Sequence, residues 1–322
     1  MDLAASRSGP VPDAGTVDVQ SAWISSAIQP ALERSTTGRV HSVFDSAAYL
    51  ANQTGDVLAI VSDEVGPGPL SIVLAGVPQS VFEELHPGEP ALFTSGSILS
   101  NRLTIRLKGR RWEARPSWES LRASRHTLRN CLPELQEVLI ACAPSGSLTS
   151  ILGPPASAGP DTNAARFIDE AAARSAVFLS ALGAALRHGP RLIPSALGGL
   201  RATAGDLAGL GGGYTPAGDD FLVGAIYALF SSTPPPIAQL VSAEIAAAAA
   251  PGTTSVSAAY LRAAAAGAAG PHWHRLIDSV VFCKNQERRL AVRLLAQVGH
   301  TSGADALAGF LLALRTCLPI EP

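Results

Sequence analysis

The hydrophobic period of this chain changes partway along it, so no single kind of secondary structure can serve both halves. In the first half, residues 57–61 (Val-Leu-Ala-Ile-Val) and 71–74 (Ser-Ile-Val-Leu) are short apolar runs bounded by glycine and proline. Residues 103–108 alternate apolar and polar, the pattern of a strand with one wet face. Strands of that kind imply a largely antiparallel sheet or a small barrel. Gly66-Pro67-Gly68-Pro69 and Pro87-Gly88-Glu89-Pro90 are turn punctuation, and a short helix is expected over 80–85. The second half reads in helical period. Ile168, Ala172, Leu179, Leu182 and Leu186 recur on one helix face after a cap at Asp161 or Thr162. Further helices are expected over 219–230, 237–250, 255–266, 272–298 with a break, and 304–314; the 237–250 and 304–314 segments are apolar nearly all round, which marks central helices. A helix over 118–142 should bend or divide at Pro133. The Pro/Gly/Ser/Ala-rich stretch 143–162 reads as the boundary.

The expected architecture is therefore α+β, an N-terminal mainly antiparallel β-rich domain followed by a C-terminal helical domain. Residues 1–36 are expected to be a poorly structured segment or a first helix, 37–145 the β-rich domain, and 160–322 the helical domain with its glycine-rich loops.

Composition narrows the function classes. Hydrophobic residues make up 47% of the 322 and charged residues 16%, against a usual charged share of about 25%, so the chain should be well packed. Its net charge of −2 lacks the positive excess that phosphate-backbone binding demands, which argues against nucleic acid. Four widely spaced cysteines make neither a disulfide framework nor a zinc pair. Apolar stretches such as 221–230 fall short of the ~20 residues that span a bilayer, and the first residues carry no apolar leader-like run. These features predict a cytoplasmic protein without a membrane partner.

The chemistry concentrates in three segments. Residues 209–220, Gly-Leu-Gly-Gly-Gly-Tyr-Thr-Pro-Ala-Gly-Asp-Asp, run directly into an apolar helix. Backbone N–H groups around Gly211, Gly213 and Gly218, with the Thr215 hydroxyl and the positive helix end, suit a phosphate or carboxylate. Asp219 and Asp220 at the same terminus would repel an anion unless a cation intervened, Mg²⁺ being the natural choice for carboxylates. The segment has neither the lysine of a Walker loop nor the preceding strand of a dinucleotide fingerprint. Residues 299–305, Gly-His-Thr-Ser-Gly-Ala-Asp, repeat the design loosely, with His300, Thr301, Ser302 and Gly303 leading to Asp305 at a helix start. Gly224 and Gly309, each about a turn into an apolar helix, would let those two helices approach closely. Residues 253–257, Thr253-Thr254-Ser255-Val256-Ser257, open a third helix and offer hydroxyls to the same pocket. Each of these segments also reads simply as a helix cap, a contribution of about 1 kcal/mol. His272 and His274, at i and i+2, point to different helix faces and make a poor metal pair.

Taken together, the three segments resemble a bacterial family associated with the oxamate carbamoyltransferase subunit AllH. Residues 209–220 are similar to its G-L-G-x-G-x-T-P-x-G-D-D signature, Thr254, Ser257 and Leu261 to its T-x-x-S-x-x-x-L block, and residues 299–305 to its third motif. Gly212 departs from a position where proline is common in the family. The N-terminal half resembles it more loosely, around residues 38–44. The resemblance implies a subunit of a multi-protein carbamoyltransferase of anaerobic allantoin breakdown, which converts oxalurate and phosphate to oxamate and carbamoyl phosphate beside an FdrA-like subunit and a third component. On that reading Asp219, Asp220 and Asp305 hold ureido N–H groups or assist proton transfer, while Thr215, Thr301 and Ser302 orient the substrate. Two other classes stay open: a stand-alone metal-dependent enzyme using the three aspartates, and a non-catalytic small-anion scaffold.

Overall fold

The computed structural model describes residues 16–34, 36–153, 163–187 and 194–318. They form a mixed α+β chain of two compact units, 1–114 and 115–322.

Among the described residues of the first unit, nine strands form one sheet: β1 (Val17–Ser25), β2 (Thr36–Phe44), β3 (Ala47–Asn52), β4 (Val57–Ser62), β5 (Ser71–Leu74), β6 (Pro90–Phe93), β7 (Ser97–Leu99), β8 (Leu103–Arg106) and β9 (Arg110–Trp112). Two single-turn helices, α1 (Gln29–Leu32) and α2 (Ser80–Glu83), interrupt the series. The order β5-β4-β3-β2-β6-β7-β8-β1-β9 closes on itself because β1 also pairs with β5. Most pairs are antiparallel, as the alternating runs predicted, but β1 lies parallel to β8 and β9, and β4 parallel to β5. β4 and β5 are buried at every position, which explains their unbroken apolar runs. The expectation of a poorly structured or helical start over 1–36 is corrected from Val17 onward, where β1 begins; residues 1–15 lie outside the described residues.

The second unit is helical: α3 (Trp118–Ala123), α4 (Arg125–Cys142), α5 (Asn163–Arg187), α6 (Pro194–Leu207), α7 (Ala217–Ser232), α8 (Pro235–Ala249), α9 (Ser255–Ala265), α10 (Pro271–Val281), α11 (Asn285–Ala296) and α12 (Ser302–Cys317). The break comes before Arg115 and not in the stretch 143–162, because α3 is bound into the helical core. The Trp118 ring stacks on Tyr227 and Phe230, at 5.3 and 5.8 Å, and its indole N–H donates to the Gly267 carbonyl at 2.7 Å. The chain divides at Ser124, while Pro133 stays inside α4. Pro133 is exposed, so water can take the carbonyl one turn back that its missing N–H leaves open. The expected break within 272–298 falls at Cys283, whose φ of 53° stops α10 before α11 begins. The proposed cap at Asp161 or Thr162 lies outside the described residues.

The helices at the centre are α7 and α12. The 237–250 segment, expected to be central, is α8, and Gln239, Leu240, Ala243 and Ala247 leave one of its faces exposed. Alanine satisfies either environment, so an alanine-rich helix conceals which face it buries. The crossing of α7 and α12 depends on two glycines. A Cβ on Gly224 would stand 1.8 Å from the Ala306 carbonyl oxygen, and one on Gly309 2.1 Å from that of Phe221. No described helix is long and apolar enough to cross a membrane.

Candidate functional site

Both central helices begin beside each other. The Thr215 hydroxyl, just before α7, is 2.8 Å from the Ser302 hydroxyl in the first turn of α12. A third helix start joins them. Thr254, the N-cap of α9, accepts from the Ser257 N–H at 3.0 Å and donates its hydroxyl to the Tyr214 carbonyl at 2.6 Å. Three helix N-termini, each with a positive dipole end, thus surround one small region that also holds three aspartates. Thr254→Ala should cost about 1–2 kcal/mol, since it removes both a cap and a loop tether, and a lowered urea midpoint would register it.

The aspartates are not equivalent. Asp219 is fully enclosed, and its carboxylate accepts from the Gly209 N–H at 3.1 Å, from the Ser257 hydroxyl at 2.9 Å and from the Thr253 hydroxyl. Burial raises its pKa against the opposing pull of those donors. Its oxygens fasten the start of the glycine-rich loop to the segment that leads into α9. Gly209 fits there only as glycine, with φ of 72° and space for a Cβ only 2.5 Å from the Gly252 carbonyl oxygen.

Asp305 is also fully enclosed. Its Oδ1 accepts from the Leu148 N–H at 2.6 Å, while Oδ2 is buried without a hydrogen-bond partner. Burial pushes this carboxyl up to about 6, opposed by the Leu148 N–H and the Thr301 hydroxyl. Asp220 is half-buried; its Oδ2 too is enclosed and unpartnered. Burial holds its carboxyl well above the usual range, the Ser302 and Thr215 hydroxyls oppose that, and the neighbouring Asp305 and Asp219 charges reinforce it.

The predicted residues accordingly sort into groups. Thr215, Asp220, Thr301, Ser302 and Asp305 form one cluster. Asp219, Thr254 and Ser257 form a second that anchors the loop. Gly211 and Gly213, with φ of 108° and 91°, lie on the exposed loop, and His300 on the exposed turn before α12. Gly218 and Gly303 are enclosed, and their N–H groups already donate to Leu210 and Val298, so their place is in the packing. The Thr253 hydroxyl is delivered to Asp219, as its place at the start of α9 suggests, but sequence reasoning misses the Leu148 N–H. A backbone donor 157 positions before Asp305 leaves no mark in the sequence.

An ion shared by all three aspartates does not fit this arrangement. Asp219 is committed to three donors, and among the described residues no group of three or more His, Cys, Asp or Glu side chains is placed to hold a metal.

Two family descriptions match the chain. Residues 207–314 match the oxamate carbamoyltransferase subunit AllH, and residues 11–113 match the AllH family N-terminal domain. No curated protein and no solved structure matches.

Proposed function

Because the chain belongs to the AllH family, we propose that it is a working subunit of a carbamoyltransferase interconverting oxalurate and phosphate with oxamate and carbamoyl phosphate, alongside FdrA-like and further subunits. One observation carries the reading: three helix N-termini and a glycine-rich loop adjoin a half-buried carboxyl, Asp220, with two hydroxyls beside it. Oxalurate needs such a mixed environment. Its carboxylate, like phosphate, calls for N–H donors and positive helix ends, while its ureido N–H groups call for acceptors. The loop around Gly211 and Gly213 supplies the first and Asp220 the second, with Thr215, Thr301 and Ser302 fixing the orientation. Phosphorolysis also needs the carbamoyl oxygen polarised by N–H donors, a role open to the same loop.

The direct test is a thermal-shift titration of the chain with oxalurate, oxamate, phosphate, carbamoyl phosphate and Mg²⁺, alone and with its partner subunits. A ligand at a hundred times its Kd stabilises the fold by about 2.7 kcal/mol. Stabilisation by oxalurate or carbamoyl phosphate, with phosphate-dependent turnover when the subunits are combined, is the expected result. No response to any of them in either state would reject the substrate class, and binding without turnover in the assembled enzyme would favour a scaffold.

A further inference from the structure

The starts of α7 and α12 meet at Thr215 and Ser302, and each helix encloses a carboxyl oxygen in its first turn, one of Asp220 and one of Asp305. Asp220 and Asp305 each keep one oxygen enclosed and without a hydrogen-bond partner. The groups facing them from the surrounding elements are the Thr215, Thr301 and Ser302 hydroxyls, the Leu148 N–H, the Asp219 carboxylate and, further along α7, the Tyr227 hydroxyl, which donates to Ala268. The charges acting on Asp220 among the described residues are both negative, those of Asp305 and Asp219. Two like charges in one dry site cannot both persist, and the unpartnered oxygens have no accessible surface to admit a hydrated ion. A proton needs no such space.

We infer that Asp220 and Asp305 hold one proton between them and act as a single acid–base unit, which the Ser302 and Thr215 hydroxyls connect to the surface. Asp220 is the member that meets the substrate, and Asp305, fully enclosed behind it, is a positioning residue that keeps the proton in the pair. The direction of both carboxyls, raised by burial, agrees.

What the pair does chemically rests on the carbamoyl-transfer reading. An oxygen of hydrogen phosphate bonds to the carbamoyl carbon of oxalurate and that phosphate gives up its proton. The C–N bond breaks, its electron pair leaves with the oxamate nitrogen, and that nitrogen gains a proton. A carboxyl pair with one proton and one vacancy serves both sides. Asp220 gives its proton to the nitrogen, the pair takes the phosphate proton, and it ends as it began.

The proton can be sought without any substrate, by infrared spectroscopy of the intact chain carrying ¹³C-labelled aspartate. At pH 7.5 the wild type should show the C=O band of a protonated aspartate carboxyl, and a second carboxyl should protonate near pH 6. The pH 7.5 band should vanish in Asp220→Asn, and the step near 6 should vanish in Asp305→Asn. A wild-type spectrum without that band, or a band that survives Asp220→Asn, would overturn the pair whatever the chain's activity; the wild-type titration alone decides this if a variant fails to fold. Conversely, absent turnover of oxalurate with the band in place would count against the transferase reading and leave the shared proton standing.

Discussion

Alanine at Gly224 or Gly309 is expected to cost the helical unit about 3 kcal/mol or more, at or beyond the upper end of ordinary overpacking. The obstacles are backbone atoms of a neighbouring helix, 1.8 and 2.1 Å from the added Cβ, and neither can rotate away as a side chain would. Relief requires α7 and α12 to separate, which opens contacts along the most buried helices of the unit and parts Thr215 from Ser302. Gly198→Ala and Gly199→Ala in α6 provide the contrast. Nothing lies within 4 Å of either added Cβ, so each should gain up to about 1 kcal/mol from helix propensity alone. Urea unfolding of the four variants checks the pattern, and equal effects at all four positions would mean that the crossing is looser than described.

A change at the paired carboxyls should raise stability and remove activity together. Asp220→Asn keeps the shape but cannot supply a proton, so turnover of the assembled enzyme should fall by about 10²–10⁴-fold, the usual worth of a positioned acid or base. For Asp305→Asn the stability effect follows from its raised pKa. A carboxyl moved from 3.8 to about 6 by burial binds its proton more tightly when folded than when unfolded. The folded state therefore loses relative stability as pH rises from about 4 through 6, and nothing is lost below that window. Asparagine removes the penalty while its amide oxygen can still accept from Leu148. The variant should be more stable than the wild type by about 3 kcal/mol at pH 8 and by roughly half that at pH 5. Denaturation at the two pH values tests it, and a variant less stable at pH 8 would show that the Asp305 charge supports the fold.

Much of this was legible beforehand because local physics wrote it into local pattern. Period two before residue 108 and helical spacing after 163 separated the strand-rich unit from the helical one. Gly224 and Gly309 advertised a close helix crossing because an interior glycine in an apolar helix needs a steric reason. The loops 209–216 and 299–301 announced two helix starts of similar design. Helix α6 went unread since Gly198, Gly199 and Gly205 dilute its pattern. The stretch 143–162 resembles a linker in composition, yet part of it, residues 148–152, is packed as a 3₁₀ turn whose Leu148 N–H donates to Asp305.

The sequence by itself determined which segments become strands and helices, which helices can touch backbone to backbone, and which loops carry polar side chains at helix starts. Only the tertiary structure decided what surrounds each aspartate. Asp219, Asp220 and Asp305 carry the same functional group at similar places in their helices, and nothing within a few residues tells them apart. They differ in what folding brings to them: three donors to Asp219, two hydroxyls at the helix starts to Asp220, and to Asp305 one distant N–H and an enclosed oxygen left without a partner. Burial and long-range contact set the charge of a carboxyl, and both exist only once the chain has closed around it.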